Sequence, residues 1–263
     1  MATDNAGARP AVLVTRPAGA AADALCAAVR DAGYRAVAQP LLEVQALAEL
    51  PAAARAMVMD LDHYAAVIFI SSNAVRCGMQ RLQDYWPQLP LGIQWYAVGA
   101  ATARMLDAYG LRAQAPADMT SEGLLRLPGL QDVAGLRVLI VKGQGGRDAL
   151  RRELSGRGAR VDELACYRRR CPELAAGALA RTLREESVGV ILLSSGEGLH
   201  NLLQLLSPSE TSNFNQMRLV VPSERVARQA ADAGFEHVVT ADNASDAAML
   251  RALEHCPTAL EKT

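Results

Sequence analysis

Three stretches of the chain occur twice. VLVTRPAGAAADALCAAVRDAGYRA (residues 12–36) is echoed by VLIVKGQGGRDALRRELSGRGARV (residues 138–161). YAAVIFISSNAV (residues 64–75) returns as SVGVILLSSGEGL (residues 187–199), and WYAVGAATARMLDAYGL (residues 95–111) returns as RLVVPSERVARQAADAGF (residues 218–235). The offsets agree, at 126 residues from Val12 to Val138 and 123 from both Ser71 to Ser194 and Val98 to Val221. An echo this long predicts a duplicated domain rather than a solenoid of short repeats. The length of 263 residues fits about two domains at roughly 150 residues each. Two similar halves imply a cleft between domains, a common setting for a ligand.

Within each echo an apolar run precedes a helical pattern. Val12-Leu13-Val14 reads as a buried strand. The alanine-rich stretch 18–32 has helical spacing and Gly33 at the C-terminal cap position. Residues 65–70 form the next predicted strand, with Ser71-Ser72-Asn73 capping the helix behind it. Residues 94–98 predict another strand, then Gly99 and a helix over 100–109. Helices are also expected over 51–61, over 120–127 with Thr120 or Ser121 as cap, and over 243–253. Residues 136–141 open the second copy, and residues 257–263 read as a frayed end. Strands alternating with helices argue for parallel sheets covered on both faces. The extended segments 40–46 and 164–171 hold equivalent places in the two copies and can pair as a ladder. Periodicity leaves open whether the copies form sequential domains or exchange parts.

Composition narrows the function. Hydrophobic residues make up 51% and charged residues 21%, as in a globular chain. The net charge of −1 and 4% aromatics give neither the basic excess nor the stacking platforms of a nucleic-acid binder. Tyr167-Arg168-Arg169-Arg170 is a local basic run that reads more simply as a solvated strand face or hinge. The five cysteines form no CxxC pair and their number is odd, which suggests reduced thiols in a cytoplasmic protein. The first ten residues have no apolar core of a secretory signal. No apolar run nears the roughly 20 residues of a membrane span.

In a parallel sheet the functional loops follow the carboxyl ends of the strands. Hydroxyl and glycine clusters fall there. Ser71-Ser72-Asn73 and Ser194-Ser195-Gly196 stand at strand-to-helix turns, where free amides and the helix dipole favour carboxylates or phosphates. Gly99 with Thr102, and Pro222-Ser223-Glu224, repeat the pattern one strand later. Ordinary capping accounts for the same residues. Lys142-Gly143-Gln144-Gly145-Gly146 lacks the phosphate-loop and dinucleotide patterns, but its glycines admit close backbone approach and Lys142 can pair a carboxylate. The four histidines lack metal-ligand spacing, so no metal site is expected. There is no GxSxG elbow. Tyr167 is the one aromatic hydroxyl on a predicted hinge strand. A phenol can hydrogen-bond a leaving hydroxyl and act as a weak acid.

VLVTRP with its helix, PLLEV, YAAVIFISSNAV, YAVGAATARML, GRDALRRELSGRGARVDELACYRR and VGVILLSSGEGL occur in the order found in the uroporphyrinogen-III synthase family, which the chain resembles over about residues 12–253. The resemblance implies an α/β fold of two flavodoxin-like, doubly wound parallel-sheet domains joined by a two-stranded antiparallel linker. It implies a crossed assembly, with residues 1–38 plus 172–263 in one domain, 46–164 in the other, and linker strands at 39–45 and 165–171. It also implies closure of the linear tetrapyrrole hydroxymethylbilane to uroporphyrinogen III, with loss of water, inversion of ring D and no cofactor. By position Tyr167 matches the linker tyrosine that assists loss of the hydroxyl. Thr102 matches the threonine of a G-x-x-T turn, Ser71, Ser72, Ser194 and Ser195 match the strand-end turns, Ser223 matches a hydroxyl position, and Arg16 matches the arginine of the TRP turn. Asn73 and Glu197 fall at variable places, Lys142 stands where arginine is commoner, and Val221-Pro222-Ser223 replaces a Gly-x-x-Thr. The expected partners are the tetrapyrrole alone, with neither nucleic acid nor membrane. A monomer is expected, and a transient contact with the upstream hydroxymethylbilane synthase is left open. The competing class is a non-catalytic bilobal protein that binds small anions. A receiver-like regulatory pair would need acidic strand ends, which are absent.

Overall fold

The computed structural model describes residues 10–146 and 148–256. The readings of residues 1–9 as free of a secretory signal and of 257–263 as frayed lie outside the described residues. Along the first part of the chain run β1 (Ala11–Val14), α1 (Ala20–Asp31), β2 (Ala36–Ala38), β3 (Glu43–Ala46), α2 (Ala52–Met59), β4 (Ala66–Phe69), α3 (Ser72–Tyr85), β5 (Gln94–Ala97), α4 (Ala100–Asp107) and α5 (Ser121–Leu124). Then follow β6 (Arg137–Gly143), α6 (Ala149–Gly156), β7 (Arg160–Arg170), α7 (Ala178–Glu185), β8 (Val188–Leu192), α8 (Gly196–Leu205), α9 (Pro208–Phe214), β9 (Arg218–Val221), α10 (Glu224–Asp232), β10 (His237–Thr240) and α11 (Asp246–Glu254).

The strands form two five-stranded sheets, ordered β10-β9-β8-β1-β2 and β3-β7-β6-β4-β5. Each sheet draws strands from both sequence copies. β1 pairs in parallel with β8 (Leu13 opposite Ile191), and β4 pairs in parallel with β6 (Ile68 opposite Ile140). The equivalents of β9, β8, β1 and β2 are β5, β4, β6 and β7, so the two sheets share one order. A lone parallel bridge between Tyr96 and Gln114 takes the place beside β5 that β10 holds beside β9.

Continuous apolar runs such as AVLV in β1 and AVIF in β4 are buried throughout, as parallel strands covered on both faces require. In the first sheet Leu13, Ile191 and Leu219 face one core with Leu183 and Leu202, while Val12, Val190 and Val220 face another with Leu25 and Met249. In the second, Val67, Phe69 and Val141 pack with Val75 and Leu82, and Ile68 and Ile140 with Leu124 and Leu154. The α/β architecture of doubly wound parallel sheets is as the sequence implies. The chain divides into two compact units. One comprises the residues up to Glu43 and those from Arg170 onward, and the other is Val44–Arg169.

β7 runs unbroken for 11 residues. From Arg160 to Tyr167 it pairs in parallel with β6. Beyond the end of β6 it turns to β3. The Leu47 amide donates to the Cys166 carbonyl at 3.1 Å, Arg168 Nε to Gln45 Oε1 at 2.9 Å and Arg170 Nε to Glu43 Oε2 at 3.0 Å. Residue numbers rise on one strand as they fall on the other, so this ladder is antiparallel. The expected separate linker strand is therefore the far half of a sheet strand. Local ends also differ. The helix expected over 51–61 is α2 followed by a 3-10 turn at Leu61–His63, and the last helix starts at Asp246 because Ser245 caps it, accepting from the Ala248 amide at 3.3 Å. No described helix is long and apolar enough to cross a membrane.

The seat of α3 on β6 admits only glycine at position 78. A Cβ there would lie 2.5 Å from Val141 Cγ1 and 3.2 Å from Phe69 Cε1. Gly78→Ala is therefore expected to destabilise the protein by about 1–3 kcal/mol through overpacking, although alanine is the better helix former by about 1 kcal/mol. Urea unfolding of the two proteins checks the sign.

Candidate functional site

The hydroxyl turns expected at strand ends lie at the carboxyl edges of the two sheets. In the second sheet, Ser71 follows β4 and caps α3, its Oγ accepting from the Ala74 amide at 3.1 Å. The same Oγ lies 3.1 Å from the hydroxyl of Tyr167 on β7. Tyr167 is 5% exposed, and its ring lies over Gly143 at the end of β6. A Cβ at Gly143 would stand 2.6 Å from Tyr167 Cε2, so a bare backbone is required there. The register between β6 and β7 shifts at this point. Lys142 faces Ala165, but Gly143 faces Tyr167. This bulge gives β7 an extra residue and interrupts its alternation. Cys166 and Tyr167 consequently enter the same core, on the side of α3. Burial pushes the Cys166 thiol up to about 12, with Cys77 adding to the rise, so it is protonated and no nucleophile.

One strand further, Gly99 caps α4 with extended backbone, and Thr102 sits in its first turn. Thr102 is 6% exposed, yet its hydroxyl makes no hydrogen bond to another described residue. That hydroxyl is open at its oxygen although the residue as a whole is buried, and beside the free amides of the helix start it can meet a carboxylate oxygen. Ser72 and Asn73 are half-buried in the first turn of α3, with Asn73 Oδ1 accepting from Arg76 at 3.4 Å.

Lys142 is placed differently from expectation. It is 6% exposed, and its ammonium donates to Glu163 Oε1 at 3.0 Å, with Asp148 at 3.8 Å and Arg151 near the far side of Glu163. Its charge is met by the protein's own carboxylates, because a buried cation requires a partner. Neither Glu163 nor Asp148 was signalled by the sequence. Glu163 lies on the strand parallel to β6, so only the register brings it to Lys142.

In the first sheet, Arg16 follows β1 at the position equivalent to Lys142, and its side chain is 14% exposed. Nε donates to Ser194 Oγ at 3.1 Å, one Nη pairs with Asp246 and the other donates to the Ala244 carbonyl at 2.6 Å. Arg16 thus ties the end of β1 to the turn after β8 and to the start of α11. Asp246 lies 230 residues away and carries no motif, so sequence reading missed it. Ser195, rather than Ser194, caps α8, accepting from the Gly198 amide at 3.1 Å. The cap is the first serine of one pair and the second of the other, so the two Ser-Ser turns differ by one residue from the alignment. Ser223 caps α10 with extended backbone and gives no side-chain cap bond. Among the described residues no group of three or more His, Cys, Asp and Glu could hold a metal ion.

Each unit therefore carries, at the carboxyl edge of a parallel sheet, a rim of helix starts and hydroxyls next to an internally neutralised cation. Helix starts at a sheet's carboxyl edge present free amides and positive partial charge, which favour anions. The family model described as "Uroporphyrinogen-III synthase HemD" matches residues 23–251, and the chain belongs to that family. It is 35% identical over 246 residues to the uroporphyrinogen-III synthase of Salmonella typhimurium (strain LT2), covering 92% of this chain and 99% of that protein. With the enzyme of the same name from Escherichia coli (strain K12) it shares 34% over 249 residues, again 92% of this chain and 99% of the relative. Among solved structures, uroporphyrinogen-III synthetase from Helicobacter pylori 26695 matches with a TM-score of 0.61 at 15% identity, over 95% of this chain and 100% of that one. A mutant uroporphyrinogen III synthase from the extremely thermophilic bacterium Thermus thermophilus matches with a TM-score of 0.57 at 21% identity, over 93% and 99%. These structural likenesses support the fold.

Gly143→Ala is expected to push the Tyr167 ring away and break its contact with Ser71. A crystal structure of the variant should show the two oxygens more than about 3.5 Å apart, beyond hydrogen-bond reach.

Proposed function

We propose that the chain is a uroporphyrinogen-III synthase, a cyclising lyase of haem biosynthesis that closes hydroxymethylbilane to uroporphyrinogen III with loss of water and inversion of ring D. The observation that carries this reading is the family match over residues 23–251, joined to relatives that align over 99% of their own length. The site chemistry agrees with it. The substrate is a flexible polycarboxylate, and the rims offer Thr102, Ser72, Ser223 and helix-start amides to its carboxylates.

Loss of the hydroxyl is helped by the pyrrole nitrogen, which spreads the positive charge, so the protein's larger task is selectivity. It must hold the chain so that the substituted carbon of the last ring attacks before the unsubstituted one. Restricting a flexible substrate to one reactive geometry can contribute up to about 7–11 kcal/mol in ideal cases. Tyr167 donates its proton to the departing hydroxyl. The C–O bond breaks with its electron pair on oxygen, water leaves, and the phenolate recovers a proton from the substrate after the ring closes. No step of this scheme requires a metal or a redox change. The protein acts as a monomer in the cytoplasm, in transient contact at most with the enzyme that supplies its labile substrate.

Mixing the protein with hydroxymethylbilane and separating the products should give the type III isomer in excess over the uncatalysed type I. A type III fraction at background would instead fit the non-catalytic anion-binding alternative. Tyr167→Phe is expected to lower kcat by about tenfold to a hundredfold, the low end for acid catalysis because the leaving step is intrinsically easy. Its unfolding midpoint should stay near that of the parent.

A further inference from the structure

Tyr167 has little freedom to choose where its proton points. Its ring is covered by Gly143 and the α3 core, and the one hydrogen bond of its hydroxyl to a described residue is to Ser71 Oγ at 3.1 Å. Ser71 in turn has one proton, and its oxygen already accepts from the Ala74 amide at 3.1 Å. Two arrangements are open to the pair. If Tyr167 donates to Ser71, the phenol proton is directed into the protein. If Ser71 donates to Tyr167, the phenol proton is free to meet a substrate. Acceptance from the Ala74 amide polarises the Ser71 hydroxyl and makes it the better donor, since hydrogen bonds in a chain strengthen one another. The α3 start carries positive partial charge, which favours negative charge developing at the end of that chain.

We infer that Ser71 is a positioning residue for the reaction, relaying the amino-terminal field of α3 through its hydroxyl to the Tyr167 oxygen. This rests on the reading of Tyr167 as the proton donor. As the substrate C–O bond breaks, the phenol proton passes to the leaving oxygen, and the negative charge left on the tyrosine oxygen is met by the Ser71 hydroxyl. The reaction needs no other proton carrier at this step. Ser71 thus acts through Tyr167, and it need not contact a substrate carboxylate.

A double-mutant cycle tests this with the full chain and hydroxymethylbilane. Ser71→Gly removes the hydroxyl while keeping a residue tolerated at a helix start. It is expected to lower kcat by about tenfold, the effect of losing a hydrogen bond to a developing charge, with KM within about twofold. In the Tyr167→Phe background the same change should lower kcat by less than about twofold, because the relay has no oxygen to act on. Ser71→Thr, which keeps both cap and hydroxyl, should recover most of the loss. An equal loss from Ser71→Gly in both backgrounds, or a loss expressed mainly in KM, would overturn the relay while leaving type III synthesis by the parent intact. A parent that forms no type III isomer would overturn the functional reading itself, and an unaltered Tyr167→Phe would remove both the donor and its relay.

Discussion

Two side-chain contacts of the candidate site join different copies of the repeated sequence. Arg16 of the first copy meets Ser194 of the second, and Ser71 of the first meets Tyr167 of the second. They depend on the parallel pairing of β1 with β8 and of β4 with β6. A sheet built from one copy alone would bring neither pair together. Thr15, whose hydroxyl donates to the Leu192 carbonyl at 2.7 Å across 177 residues, fastens the first of these seams at its carboxyl end. The closure entropy of so distant a contact grows only as the logarithm of separation, about 0.6 kcal/mol per doubling. The cost falls on rate more than on stability, because non-local pairing must precede most of the apolar burial that stabilises it.

Much of this architecture is legible in the chain. Apolar runs ending in Ser-Ser, Gly-x-x-Thr or Arg-Pro mark the carboxyl ends of buried parallel strands, and those strands are found where the runs lie. Local periodicity cannot choose between a β1–β8 and a β1–β6 partnership. The candidate strands on offer are all short, apolar and β-branched. The one-residue difference between the two Ser-Ser turns was hidden for a similar reason. Either serine can cap, and the choice is set by how many residues lie between strand and helix. Ile70 alone separates β4 from its cap, whereas Leu193 and Ser194 both separate β8 from Ser195, so Ser194 is left to accept from Arg16.

The face that Tyr167 presents could not be read from period-two alternation. In a regular strand, Cys166 and Tyr167 would point to opposite faces. The bulge at Lys142 and Gly143 places both on the α3 side. Without it, Tyr167 would be turned away from Ser71. The bulge coincides with the end of β6, the point at which β7 exchanges a parallel neighbour for the antiparallel β3. A strand asked to serve two ladders of different hydrogen-bond spacing has a physical reason to gain a residue there. The glycine at that point then admits the ring.

The partners of the cations placed beside these turns are the part that sequence reading does not supply. Lys142 and Arg16 look like anchors for a polycarboxylate, yet Glu163 and Asp246 meet their charges within each unit. For the buried Lys142 this is necessary, since a charge taken out of water without a partner would cost several kcal/mol. Under the proposed function, carboxylates are then left to amides and hydroxyls at helix starts, each contributing about 0.3–1 kcal/mol and up to about 2 when partly buried. Many weak contacts suit a substrate that must be held in one fold, rearranged and released as a product with the same carboxylates. A few full charges would bind both ends of the reaction equally and add nothing to the choice between isomers. What distinguishes the reacting geometry must lie in where the dipoles and the tyrosine are fixed, and in this chain that placement is set by strand register.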